Sequence, residues 1–283
     1  MSSEVSLGAP KHKSGTRSKI AAFLKKGLQD GFLVLILPAL VIIIWQKVCD
    51  GGLIPRIILP APSLIFDSFL ALVSSGELLG HVSISLLRVL EGYLIGAILG
   101  IVFGALQGLF LPLRKALSVF TGLLRPIPVM AWVPIVIMWL GIDELSKVVL
   151  IAIGTFWTVL VNVMDGIRST DRKYIEVAQI FEKNKWVLFT KVIFPSALPN
   201  LFTGLRIGVD VAWRSVVGAE IVAAAAGMGY MITFAREMGQ TDTMLVGIFS
   251  IGILGFLIDF ILKKLQKNLI KWDQSYGKEI DHE

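Results

Sequence analysis

Apolar residues run without a charge from Gly31 to Gln46, Gly92 to Leu113, Ile127 to Ile142 and Val148 to Met164. Two further runs are apolar with exceptions. Leu201 to Ala226 carries Arg206, Asp210, Arg214 and Glu220, and Met244 to Leu262 carries Asp259. A helix needs about 20 predominantly apolar residues to cross hydrocarbon, and an unpaired charge at its centre costs at least ~2.5 kcal/mol. The pattern therefore predicts six membrane-spanning helices. From Ser63 to Leu90 the chain reads as partly amphipathic, lying along the membrane before turning in. Pro55, Pro60 and Pro62 predict an extended passage ahead of it.

Composition agrees. Of 283 residues 55% are hydrophobic and 17% charged, with a mean hydropathy of +0.76, too few charges for a soluble surface. An all-α integral membrane protein follows. The net charge of +6 raises nucleic acid as a partner, but the positions of the basic residues report topology instead. With both termini in the cytoplasm, twenty of the 27 Lys and Arg fall inside and five outside, Arg88 among those five; the remaining two lie in the fifth span. This bias fixes the expected orientation in a bacterial plasma membrane.

Residues 1–30 read as a basic cytoplasmic tail, with 19–30 as an interfacial helix; 31–265 form the transmembrane domain and 266–283 a second cytoplasmic tail. The first span lacks a cleavage site and stays as an anchor. A lone cysteine, Cys49, excludes an internal disulfide.

Gly92, Gly96, Gly100, Gly104 and Gly108 recur at i+4, drifting about 40° per step, and form a stripe against which another helix can pack. A channel lining is the alternative. Pro126, Pro128 and Pro134 interrupt the third span. Either the first two simply start a helix, or the freed carbonyls face protein or a water-filled path. In the fifth span, Arg206, Asp210, Arg214 and Glu220 fall within about 120° of one another. They fit a self-neutralised ion-pair ladder, or Arg206 snorkelling to the interface, or a translocation path with Arg214 facing an anionic solute. Asp259 pairs with Lys263 at i+4.

No phosphate-cradling GxxxxGK[ST] run, GxSxG elbow, HExxH or Cys/His metal spacing occurs. No catalytic residue, metal site or cofactor is expected in this chain. Transport remains, with a gradient-driven secondary transporter or channel as the alternative to an externally powered subunit, and an anchor or scaffold as a third class.

The inner segment 165–200 is too patterned for a connector. It reads as two short amphipathic helices, Arg172 to Phe181 and Trp186 to Ile193, the second ended by Pro195 and Pro199. Glu176, Val177 and Ala178, then position 182, Val192 and Phe194-Pro195 resemble the EAA signature of binding-protein-dependent ABC transporter permeases. From about residue 58 to 273, stretches such as LRPIPVMAWVPIVIMWLGI and LRIGVDVAWRSVVGAEIVAA resemble the nitrate, sulfonate, taurine and bicarbonate branch. The resemblance implies a methionine-importer-like core with one extra N-terminal helix. It also implies a homodimer with a second permease copy, two cytosolic ATPase subunits that bind the ATP, and an external solute-binding protein. It assigns 172–195, with Tyr174, Glu176, Val177 and Ala178, to ATPase coupling. Glu176 would complement the positive end of its helix, and small Ala178 would allow close docking.

Val177 stands where the family has Ala, Phe194 where it has Leu, and Glu182 where it has Gly. Glu cannot adopt positive φ cheaply, so the turn is expected to shift toward Asn184, or to need no left-handed residue.

Overall fold

The computed structural model describes residues 36–180 and 184–269, and among them every regular element is helical. The predicted tail at 1–30, its interfacial helix, the start of the first span, Glu182 and residues 270–283 lie outside the described residues. The chain divides into two units, 1–64 and 65–283.

In the first unit, helix α1 (36–50) exposes Leu37, Leu40, Val41, Ile42 and Ile43. The passage after it is turned, not extended as expected: the Ile58 and Leu59 amides donate to Pro55 O at 2.9 and 3.2 Å. Pro62, which lacks a donor, opens α2 (Pro62–Ser74), and the Ser63 amide donates to Gln46 Oε1 at 3.1 Å.

Helix α3 (Glu77–Leu109) begins well before Gly92. The stretch expected on the membrane surface therefore belongs partly to α2 and partly to this span. Its polar residues misled the reading because their partners are distant in sequence: Ser85 is fully buried and Arg88 only 4% exposed. Phe110 is extended (φ −109°, ψ 103°), and α4 (Leu111–Leu124) follows with a proline in its first turn. Residues expected as a loop are thus helical. Helix α5 (Val129–Leu140) contains Pro134 without losing its helix, and α4 and α5 meet at 97°. The third span is therefore a bent pair, broken where Pro126 and Pro128 withhold backbone donors.

Helix α6 (Glu144–Arg168) is the central rod, with Leu150, Ile151, Val159 and Leu160 essentially inaccessible. Helix α7 (Arg172–Ile180) follows. Helix α8 (Lys185–Leu188) does not stop at Pro195. It passes through a π-turn, Phe189–Ile193, into α9 (Phe194–Ala223), making one 38-residue rod from Trp186 to Ala223. The Phe194 amide reaches back to Phe189 O, so the wider turn ends where Pro195 can sit in the first turn of α9. The prolines expected to terminate a helix instead mark a change of winding.

Val89 of α3, Ile151 of α6 and Ala212, Trp213 and Val216 of α9 form one buried cluster. Helix α10 (Met228–Glu237), which the apolar pattern did not reveal, and α11 (Thr241–Leu269) complete the fold. Trp213 Nε1 ties α9 to α11 through Ile251 O at 3.2 Å. Among the described residues four helices are long and apolar enough to cross a membrane, and the bent α4–α5 pair is a fifth candidate.

Candidate functional site

The glycine stripe lies against α6. A β-carbon on Gly92, Gly96, Gly100, Gly104 or Gly108 would stand 2.5–2.9 Å from backbone oxygens or β-carbons of Ile151, Ala152, Val159, Leu160 and Ile167. Backbones this close admit only hydrogen at those positions.

Arg88 sits four residues before Gly92, in the same register, and so points into the same interface. Its Nη1 donates to Glu220 Oε1 at 2.8 Å and to Ala226 O at 2.6 Å, while Nε and Nη2 hold Glu144 at 2.5 and 2.6 Å. Lys147 Nζ adds a contact to Glu144 at 3.2 Å. Glu220, 1% exposed, also accepts from Ser85 Oγ at 2.8 Å and from the Gly229 amide at 2.9 Å. Two cations and two anions thus neutralise each other where α3, α6, α9, the 224–227 connection and the start of α10 converge. Counting Arg88 as an outer-loop cation missed this network. The signal that could have found it was the register of Arg88 with the glycines.

The four charged residues of α9 do not form one ladder. Arg206 Nη1 donates to Gln266 Oε1 at 3.3 Å. Arg214 and Asp210 make a two-pronged i,i+4 pair at 2.6 and 3.2 Å, with the Arg214 side chain 77% exposed. Glu220 turns away to Arg88. The shared face splits because Glu220 lies beyond Trp213 and Val216, where α9 is enclosed. Asp259 and Lys263 pair at 2.8 Å.

A cavity of about 430 Å³ opens where the chain bends. Arg125 to Val129 line it from one side, Gly154, Trp157, Thr158 and Asn162 of α6 from another, and Ile207 and Val211 of α9 close it. None of the four charged α9 residues lines it. Pro126 and Pro128 stand directly before α5, with Pro128 at its N-cap, as the helix-start reading has it, and the break borders this cavity.

Asp171 caps the start of α7, its carboxylate accepting from the Lys173 amide at 2.9 Å. Glu176 lies beyond the first turn, which holds no acidic residue, so the dipole role expected of it falls to Asp171. Tyr174 is 65% exposed, Val177 51% and Ile180 78%, and Trp186, at the start of the next rod, is 69% exposed; Glu176 is exposed and Ala178 half-buried. Asn184 caps α8, its Oδ1 accepting from the Trp186 amide at 3.3 Å. Pro195 is half-buried in the first turn of α9.

Residues 93–271 match the family model described as "Binding-protein-dependent transport system inner membrane component". The putative aliphatic sulfonates transport permease protein SsuC of Bacillus subtilis (strain 168) is 38% identical over 276 residues, covering 98% of this chain and 99% of its own. The taurine transport system permease protein TauC of Escherichia coli (strain K12) is 34% identical over 239 residues, 83% of this chain and 87% of that one. The fold is also that of the MetNI methionine ABC transporter in an inward-facing conformation, with a TM-score of 0.54 and 19% identity over 66% of this chain and 91% of that one.

Proposed function

The chain belongs to the binding-protein-dependent transport system inner membrane components, and from that premise we propose that it is the membrane-spanning permease subunit of an ABC importer for a small anionic solute. The solute, of the sulfonate, taurine or nitrate class, is delivered by an external binding protein. Two separate ATPase subunits drive the cycle, and a second copy of this chain completes the pathway. Both termini and α7 face the cytoplasm, in keeping with the Lys and Arg bias.

One observation carries the reading: α7, nine residues long, lies between two long spans and presents Tyr174, Val177 and Ile180 outward, with nothing among the described residues covering them. An apolar face on a short helix at the end of two rods is suited to transmit a partner's movement into those rods. The buried Arg88–Glu220 network holds α3, α6 and α9 together, so displacement at α7 moves the bundle as a unit. The bend cavity, with Arg125 and no acidic residue in its lining, suits an anionic passenger.

The test is uptake of labelled taurine or an alkanesulfonate into proteoliposomes holding the permease, its ATPase and its binding protein. Uptake should require ATP and the binding protein. Accumulation driven by an ion gradient without the ATPase would overturn the proposal and restore the secondary-transporter reading.

A further inference from the structure

A second, larger cavity of about 710 Å³ lies between α3, α4 and α6, and adjoins the first through Arg125, Pro126 and Val161. Its lining holds four cations, Arg114, Lys115, Arg125 and Arg168, and no acidic residue. Arg168 is partly satisfied by Asp165 at 3.8 Å. The other three make no ion pair among the described residues. Lys115, Arg125 and Arg168 are exposed and Arg114 is half-buried along this open cleft, and such a concentration of charge of one sign raises the local concentration of anions.

Gln107 supplies a second, independent sign. It lines the same cavity and is only 2% exposed, yet its carboxamide makes a single long contact, 3.5 Å from Thr121 Oγ1. A buried amide with most of its bonding capacity unused and directed at a cavity calls for a polar occupant. Arginine forks and an amide together match an oxygen-rich anionic group such as a phosphate or sulfonate.

We propose that this cavity is a binding site for a tetrahedral oxyanion, held by Arg114, Lys115 and Arg125 with Gln107 at its floor. The group is either a free anion or the headgroup of an anionic lipid; Val119, Phe120 and Leu123 of α4, each more than 60% exposed, offer acyl chains a surface beside it. The site stands whichever solute the permease carries.

The test uses the full chain with its partner ATPase subunits in nanodiscs. In phosphatidylcholine discs, equilibrium dialysis measures binding of labelled inorganic sulfate. In discs containing phosphatidylglycerol, mass spectrometry measures enrichment of that lipid on the protein. The triple variant Arg114→Gln/Lys115→Gln/Arg125→Gln is compared with Arg56→Gln/Arg236→Gln, which removes exposed charge elsewhere. Loss of roughly tenfold in sulfate affinity, in the triple variant only, identifies a free anion. Sulfate binding absent from the wild type, with lipid enrichment that the triple variant abolishes, identifies a headgroup. Gln107→Leu should weaken whichever ligand binds. Should the triple variant fail to insert, Arg125→Gln alone carries the comparison. Equal behaviour of cavity and control variants in both arms, or no binding in either, overturns the site.

Discussion

Arg88 and Glu220, 132 positions apart in sequence, meet at 2.8 Å with side chains 5% and 0% exposed. The pair joins the start of one span to the end of another. Glu144 and Ala226 O complete the guanidinium's bonds, and Ser85 and Gly229 complete those of the carboxylate, so neither charge is left unsatisfied. A fully partnered buried pair is costly to break from one side, because the survivor is stranded.

Arg88→Ala and Glu220→Ala should each destabilise the folded chain by about 3–5 kcal/mol. The double variant should cost less than the sum, since each single change already removes the shared bond. Reversible denaturation of the detergent-solubilised chain measures this; strict additivity would mean the two charges are not coupled.

Gly100→Ala should cost about 1–3 kcal/mol by overpacking, because the new methyl would stand 2.8 Å from the β-carbon of Val159. Gly252→Ala provides the contrast. It lies in α11 with nothing within 4 Å of its position, and should gain about 0.5–1 kcal/mol from helix propensity. The same denaturation assay separates them.

Much of the fold was legible because hydrophobic burial repeats along the chain. The apolar runs located the cores of the spans, and the i+4 glycines located their tightest contact. What failed was local in appearance and long-range in cause. Arg88 and Ser85 looked like surface residues because their partners lie on α6 and α9. Pro195 looked like a stop because a π-turn cannot be read from composition. Helix α10 was hidden between glycines by its short, mixed sequence. At the candidate site the pairing of Asp210 with Arg214 followed from spacing, whereas the departure of Glu220 from their company required knowing where α3 runs.

Ile180→Asp should leave stability within about 0.5 kcal/mol of the wild type, since the side chain is already 78% exposed. Yet ATP-driven uptake in proteoliposomes should fall by an order of magnitude or more, from the desolvation of a carboxylate in an apolar docking face. Unchanged uptake would show that α7 does not transmit the ATPase stroke.

Arg214→Ala should likewise be nearly silent in stability, because an i,i+4 ion pair on an exposed face contributes only about 0.2–0.5 kcal/mol. If that face borders the solute's path, uptake should drop with the melting temperature unmoved. Arg214→Lys, which keeps the charge but loses the two-pronged contact, should fall between. Full uptake in Arg214→Ala would remove this residue from the pathway.

Gly227 should be the least replaceable glycine outside the stripe. Its φ of 113° and ψ of 173° fall in a region essentially reserved for glycine, and occupying it with a side chain costs of order 1–3 kcal/mol. A β-carbon there would also collide with the Glu220 carboxylate and lie 2.7 Å from Arg88 Nη1. The backbone here is held on both sides, with the Gly227 amide on His81 Nδ1 at 3.1 Å and the Met228 amide on Ser85 Oγ, which itself bonds Glu220, at 2.9 Å, so the loop cannot simply move aside. Gly239, with φ 69° and open space around it, isolates the conformational part. Gly239→Ala should lose only about 1–2 kcal/mol, and Gly227→Ala distinctly more. In a Glu220→Ala background, where the colliding carboxylate is gone, the excess should shrink toward the Gly239 value; an excess that persists there would place the constraint in the backbone alone and not in the ion network.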